Sequence, residues 1–450
     1  MWRIPRLAVG TVQTAARCQP LLWGLVTALS QAGLAVQTFG SRASIAGHDP
    51  SRAVTGRPRR YLDTWVMDGE QTASAFQKGM NDCHLGLLEG EFEVAHRGSL
   101  TGGSLDDLCH RLSCPRIAAI DLSLLDGCRI PARPNHLDGI LFSRARCDEQ
   151  ALNWQATLEP LWGVPVLGWL EESEPVDALL DYLPASQAPA RSVCMSLADS
   201  LRNSLRLDAL LEIAERVSAL SPMHHDDEVR SNPRRTTTVA IALDEAFTDY
   251  FPETLEQLES AGVTLRDFSP LKGEAIPEGT DVVYLGGGAA DRFWPKLAAN
   301  HCLAQSLRCF AGRGGRVYAE GTGMAYLCRQ VELQGGTTLS MAGLLPATAR
   351  QVARRPQFEP LEIEFAAPSW LFDSDSPLRG YRDNSWQIEP AGPMLTFARG
   401  PQHRLDVLGR NNVIGSRLAV HFSSQRSLLR RLGAPTPLRH FVPAMMERKG

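Results

Sequence analysis

The sequence predicts an α/β protein built from two sheet-centred units in series. Three observations lead there. Short apolar runs recur without polar alternation, as in parallel strands covered on both faces. Helical stretches separate those runs and give the rhythm of a wound sheet. A polar, proline-containing break at 222–238 interrupts the rhythm, which then restarts. The expected organisation is a unit over 1–221, a linker over 222–238 and a second unit over 239–450.

Taken in order, the first unit offers strands RLAVG (6–10), LAVQTFG (34–40), LGLLEG (85–90), RIAAIDL (116–122), LDGILFSRA (137–145) and VPVLGWL (164–170). Helical patterns over 21–32, 72–82 and 147–162 fall between them, and a helix over 205–220 closes the unit. The break, PMHHDDEVRSNPRRTTT, carries an HHDDE cluster. Adjacent ligands on an extended polar segment do not converge on one ion, so the cluster reads as solvated linker. The second unit restarts with a strand over 238–247, a helix over 250–261, VTLRDFSP (263–270), DVVYLGGGAAD (281–291), a helix over 296–311 and GRVYAEGTGMAYL (315–327). The remainder, through LAVHF (418–422), is less regular and richer in strands.

Composition narrows the function classes. A chain of 450 residues with 44% hydrophobic and 21% charged content fits a globular protein with two cores. A net charge of -4 gives no electrostatic case for nucleic acid or an anionic membrane. The ten cysteines form no CxxC pair, and the nearest two, Cys109 and Cys114, are five apart, so they read as reduced packing residues. Arg3 and Arg6 precede an apolar run over 21–36, but Thr27, Ser30 and Gln31 interrupt it before it could span a bilayer. The expected location is the cytoplasm.

The segment YAEGTGMAYL (318–327) has the pattern of a nucleophile elbow, a strand feeding a sharp turn and a helix. Its centre is Gly321, which has no side chain to attack anything.

Several phrases in order and spacing resemble the cobyrinate a,c-diamide synthase family, glutamine-dependent ligases that amidate tetrapyrrole carboxylates. They are TGRPRRYLDTWVM (55–67), FPETLEQLESAG followed by FSPL, VVYLGGG (282–288) and GGRVYAEGTGMAYL, within a resemblance running from about Arg6 to Phe422. It implies a P-loop-type, dethiobiotin synthetase-like parallel-sheet domain followed by a class I-type glutamine amidotransferase-like domain. It also implies ATP and magnesium as cofactors, and as partners a tetrapyrrole ligand and an active amidotransferase paralogue or a second copy of the chain.

The motifs that would carry this chemistry are altered. The family's phosphate loop resembles GTSSGVGKTT, and this chain has GTVQTAARCQPLL (10–22). Counted from the following helix, Cys18 stands at the Lys, Gln19 at the magnesium-binding Thr, and Ala15 and Arg17 at glycines, with Pro20 next. Counted from Gly10, Arg17 stands at the Lys and Thr14 and Ala16 at glycines. In either register β-carbons obstruct the backbone cradle for phosphate. Against a segment resembling FKVGPDYIDPGYH, Gly40 replaces the Lys, and Ser44 and Gly47 replace two Asp residues; a slip of one or two places brings in Asp49. Glu89 remains as a magnesium ligand without its partners, and Ser143 stands at the family's adenine-contacting Asn. In the second unit Gly321 stands at the nucleophilic Cys and Ala419 at the catalytic His, while His421 matches a second His and reads as structural. Gly286, Gly287 and Gly288 persist as oxyanion-side candidates. RGYRDNSW (379–386) replaces a segment resembling RGHEFHYS.

The expected function is a non-catalytic relative that binds a tetrapyrrole or supports a partner enzyme. Two alternatives stand beside it: active ATP-dependent amidation of a corrin or sirohaem carboxylate using altered residues or free ammonia, the latter excusing Gly321 but not the loop, and a new small-molecule site between the domains.

Overall fold

The computed structural model describes residues 3–45, 49–95, 102–126, 129–182, 188–220, 236–353, 358–366, 368–399 and 405–434. The chain divides into two compact units, Met1–His225 with Phe251–Glu253, and Asp226–Tyr250 with Thr254–Gly450. Most of the expected linker, its HHDDE cluster and Gly47 lie outside the described residues.

The first unit is built on seven parallel strands: β1 (Arg6–Thr11), β2 (Val36–Gly40), β3 (Arg60–Tyr61), β4 (Leu85–Glu91), β5 (Arg116–Asp121), β6 (Leu137–Ala145) and β7 (Val166–Glu171). Their order is β3-β2-β4-β1-β5-β6-β7. The strands are buried almost end to end, which is why they lack polar alternation. Around the sheet run α1 (Gln19–Gln31), α2 (Ser51–Thr55), α3 (Gly69–Gly79), α4 (Leu105–Leu112), α5 (Asp148–Trp162), α6 (Glu174–Tyr182), α7 (Arg191–Arg202) and α8 (Leu207–Glu215). Leu21, Leu25 and Leu29 of α1 share one core with Cys194, Leu197 and Leu201 of α7 and Leu210 and Ile213 of α8. Gly10 of β1 lets Leu105 and Phe92 close in, since a β-carbon there would lie 2.6 Å from one and 2.7 Å from the other.

Helix boundaries in the first unit differ from the sequence expectation, most of all at α3 and α8. The helix expected over 72–82 begins at Gly69, because Asp68 and Gln71 form a capping box. The closing helix is shorter than 205–220 and ends at Glu215.

The second unit holds β8 (Thr238–Ala242), most of α9 (Pro252–Ser260), β9 (Thr264–Phe268), β10 (Val282–Leu285), α10 (Trp294–Ala299), α11 (His301–Gly312), β11 (Arg316–Glu320) and α12 (Gly321–Leu327). It continues with β12 (Cys328–Glu332), β13 (Thr338–Ser340), β14 (Leu345–Gln351), β15 (Phe358–Ile363), β16 (Leu378–Asp383), β17 (Trp386–Pro390), β18 (Leu395–Arg399), β19 (Leu405–Arg410), β20 (Val413–Ser416), β21 (Leu418–Ala419) and α13 (Arg426–Gly433). The main sheet runs β18-β19-β20-β11-β10-β8-β9, parallel from β20 to β9, with β18 and β19 antiparallel. Two smaller sheets, β13-β12-β14-β17 and β15-β16-β21, account for the strand-rich remainder. The strand expected over 238–247 stops at Ala242, where the chain turns through an Asp244–Phe247 bridge. The helix expected over 296–311 is two helices, since Asn300 ends one and caps the next by accepting from the Leu303 N–H.

Candidate functional site

Two constellations at the ends of parallel strands answer to the sequence expectations, one in each unit. In the second unit β11 feeds straight into α12 at Gly321, whose φ is +50°. That left-handed turn is the elbow geometry, and glycine holds it without steric penalty. A β-carbon on Gly321 would meet only Gly287 Cα, at 3.8 Å, so the position has room for a side chain. Two positions on, Gly323 has none: a β-carbon there would lie 2.5 Å from the carbonyl oxygens of Leu285 and Gly286.

The glycine turn after β10 packs under this elbow. The Gly286 N–H donates to Tyr250 Oη at 2.8 Å, and that hydroxyl donates to the Ala242 carbonyl at 2.5 Å. Gly286, one of the oxyanion-side candidates, thus has its N–H engaged by the Tyr250 hydroxyl. The Gly287 carbonyl accepts from the Thr248 and Asp249 N–H groups at 3.1 Å each, and the Gly288 carbonyl accepts from Thr322 Oγ1 at 3.3 Å. Gly288 has φ +145°, and a β-carbon on it would lie 2.6 Å from the Ala246 carbonyl.

Glu320, immediately before the elbow, is buried. Tyr318 Oη donates to its Oε1 at 2.7 Å and the Val420 N–H to its Oε2 at 3.4 Å. Burial pushes its carboxyl up to about 8, with the Tyr318 hydroxyl and the Val420 N–H opposing. Asp249, half-buried beside Gly287, is pushed up to about 6, first by burial and further by Asp383 and Asp291.

The Glu320–Val420 contact brings the elbow beside the altered histidine segment. Ala419 ends β21, opposite Tyr381 of β16, and carries only a methyl group. His421 is fully buried, and its Nδ1 accepts from the Ser423 N–H at 3.2 Å, capping the turn Phe422–Ser424. Its visible role is structural.

In the first unit the loop between β1 and α1 is tied down by protein groups. The Gln13 side chain exchanges two hydrogen bonds with the Asp121 backbone, at 3.1 and 2.7 Å. Thr14 Oγ1 donates to the Ala95 carbonyl at 2.5 Å. The Arg17 N–H donates to Asp121 Oδ2 at 3.0 Å, and Ser143 Oγ donates to the Arg17 carbonyl at 3.3 Å. Ala15 takes φ +64°, Cys18 caps α1 with no side-chain bond, exposed Gln19 opens the helix, and Pro20 removes an N–H from its first turn. Burial pushes the Cys18 thiol far up and disfavours its thiolate.

At the end of β2, a β-carbon on Gly40 would lie 2.9 Å from Arg59 Nε. Arg59 fills that space and pairs with Glu89 at 2.7 Å. Burial raises the Glu89 pKa, and Asp49 adds to the rise while Arg59 opposes it. Asp49 also accepts from the Ser51 N–H and Oγ at the start of α2, while Ser44 lies half-buried after β2.

These residues do not fit Mg-ATP. A phosphate needs the loop N–H groups, and the Asp121 carboxylate holds that of Arg17. Glu89, the expected magnesium ligand, is held by Arg59. Among the described residues no group of three His, Cys, Asp or Glu side chains is placed to hold a metal ion. None of their helices is long and apolar enough to cross a membrane. Asp121 and Arg59 escaped the sequence reading; their signals were an acid closing the apolar run IAAI and a doubled Arg in TGRPRRYLD.

A family profile described as a CobB/CobQ-like glutamine amidotransferase domain matches residues 238–426. The chain is 26% identical to cobyrinate a,c-diamide synthase of Syntrophotalea carbinolica, covering 94% of this chain and 96% of that one. It is 25% identical to cobyrinate a,c-diamide synthase of Salmonella typhimurium, covering 90% and 92%. It is 26% identical to hydrogenobyrinate a,c-diamide synthase of Streptomyces coelicolor, covering 95% and 96%.

Proposed function

We propose that this chain, which belongs to the cobyrinate a,c-diamide synthase family, is a non-catalytic relative acting in cobalamin-type tetrapyrrole metabolism. It binds a tetrapyrrole or serves as partner subunit to an active amidotransferase. Gly321 is the observation that carries this reading. The elbow has the backbone geometry for a nucleophile, at φ +50°, and holds no reacting atom. Loss of a nucleophile alone can lower turnover by roughly 10⁶-fold. Ala419 adds the loss of a base beside it, and the first-unit loop supports the same reading independently.

The test is direct. Purified full chain incubated with glutamine should release no glutamate above a buffer blank. Incubated with ammonia, Mg-ATP and a panel of corrinoid and sirohaem acids, it should yield no amide by mass spectrometry. A corrinoid titrated into the protein should shift its own visible band, or an intact amidotransferase should co-purify. Amide formed from ammonia would overturn the reading in favour of an altered but active ligase, and glutamate release would overturn it for the second unit.

A further inference from the structure

We propose that the first unit is self-liganded: the Asp121 carboxylate occupies the place of an anion on the β1–α1 loop, and the Arg59 guanidinium occupies the place of a cation on Glu89. The inference rests on the non-catalytic reading and says what fills the site instead.

The anion half is set by Asp121, at the C-terminal end of β5 beside the β1–α1 loop. This side chain is fully buried. Its Oδ1 accepts from the Ser123 N–H at 3.0 Å and Ser123 Oγ at 2.6 Å, and its Oδ2 accepts from the Arg17 N–H at 3.0 Å. Arg144 stands 3.8 Å from Oδ2. A backbone N–H just ahead of a helix, with an arginine beside it, is the environment an anionic ligand would seek. Here an internal carboxylate takes the contact through a charge-assisted hydrogen bond.

The cation half is set by an absence of atoms at Gly40. With no β-carbon at the end of β2, the Arg59 guanidinium lies against the backbone there and reaches Glu89 Oε2 at 2.7 Å. Asp49 also faces the pair. A carboxylate this buried needs a counter-charge, and the protein supplies its own. Both contacts lie at the carboxyl ends of strands flanking β1, where wound sheets of this kind receive ligands. The two substitutes have opposite charge and sit on opposite neighbours of β1, so a nucleotide with its metal would have to displace both.

Hydrogen exchange and thermal unfolding of the full chain test this, with inorganic phosphate and magnesium chloride as probes and sodium chloride at matched ionic strength as control. In the unaltered protein neither probe should change Arg17 amide protection or the unfolding temperature. Asp121→Asn keeps the volume and removes the charge. It should lower Arg17 protection by roughly tenfold, and phosphate should restore part of it. Arg59→Met should unfold at a lower temperature and regain roughly 2–4 °C on adding magnesium. If Asp121→Asn does not fold, Ser123→Ala, which weakens the hold on the same carboxylate, should lower Arg17 protection in the same direction. The proposal is overturned if no variant gains a probe-dependent response while the unaltered chain still fails to bind Mg-ATP; the non-catalytic reading then survives alone. Binding of Mg-ATP by the unaltered chain would overturn both.

Discussion

Glu320 and Gly321 stand side by side and are governed by different physics. Burial holds the Glu320 carboxyl up to about 8, against an ordinary value of 4.5. Such a group binds more protons in the folded chain than in the unfolded one between those limits. Stability therefore falls as pH rises from about 4.5 towards 8, by at most roughly 1.4 kcal/mol per unit, and levels off above. Glu320→Gln should flatten that slope, measured as unfolding temperature across the window; an unchanged slope would show that another group carries it. Gly321 obeys backbone sterics. Gly321→Ala has open space ahead of its β-carbon and suffers only the left-handed φ, costing about 1 kcal/mol. Gly323→Ala drives a methyl group into two carbonyl oxygens 2.5 Å away and should cost about 3 kcal/mol. Urea denaturation of the two variants should rank them in that order. Gly321 was legible as an empty elbow because strand, turn and helix are adjacent in sequence. Tyr250 was not legible as the hydroxyl that engages Gly286, because that contact spans 36 residues.

The elements were read well where local chemistry decides them and poorly where partners do. β1, β4, β5 and β6 are apolar runs ending at charged or turn residues, and the sequence pattern places each within a residue or two. The helices α2, α4, α6, α7 and α13 went unread. α4, for example, starts at a Ser104 cap and owes its position to Leu105 and Leu108 packing inward. The strands β16, β17 and β21 are short, and β16 pairs with β21 and β17 with β14 across distant segments, so alternation alone could not set their register. One consequence can be measured. Asp406 of β19, fully buried, faces Arg382 of β16 at 3.2 Å and Arg417 at 3.6 Å. Asp406→Ala would strand two nearly buried guanidinium groups and should cost about 3–5 kcal/mol by chemical denaturation. A loss below about 1 kcal/mol would show that Glu359, which also reaches Arg382, balances the charge alone.

For the molecule as a whole, one titration bears on every site assigned to the first unit. Mg-ATP added to the full chain in a calorimeter should give no binding tighter than about 1 mM. A well-formed isotherm would mean that the loop opens and releases Asp121. The two-unit α/β architecture was readable because wound sheets advertise themselves through repeated apolar runs. What fills the sites was not, since Asp121 meets Arg17 across 104 residues and Arg59 meets Glu89 across 30. The positive φ at Gly321 also fixes what a side chain there would meet. Any larger residue would keep that turn wound only under tension from the strand and helix it joins. Glycine slackens it, and with open space beyond, tension in the backbone rather than crowding is what a substituent at residue 321 would face.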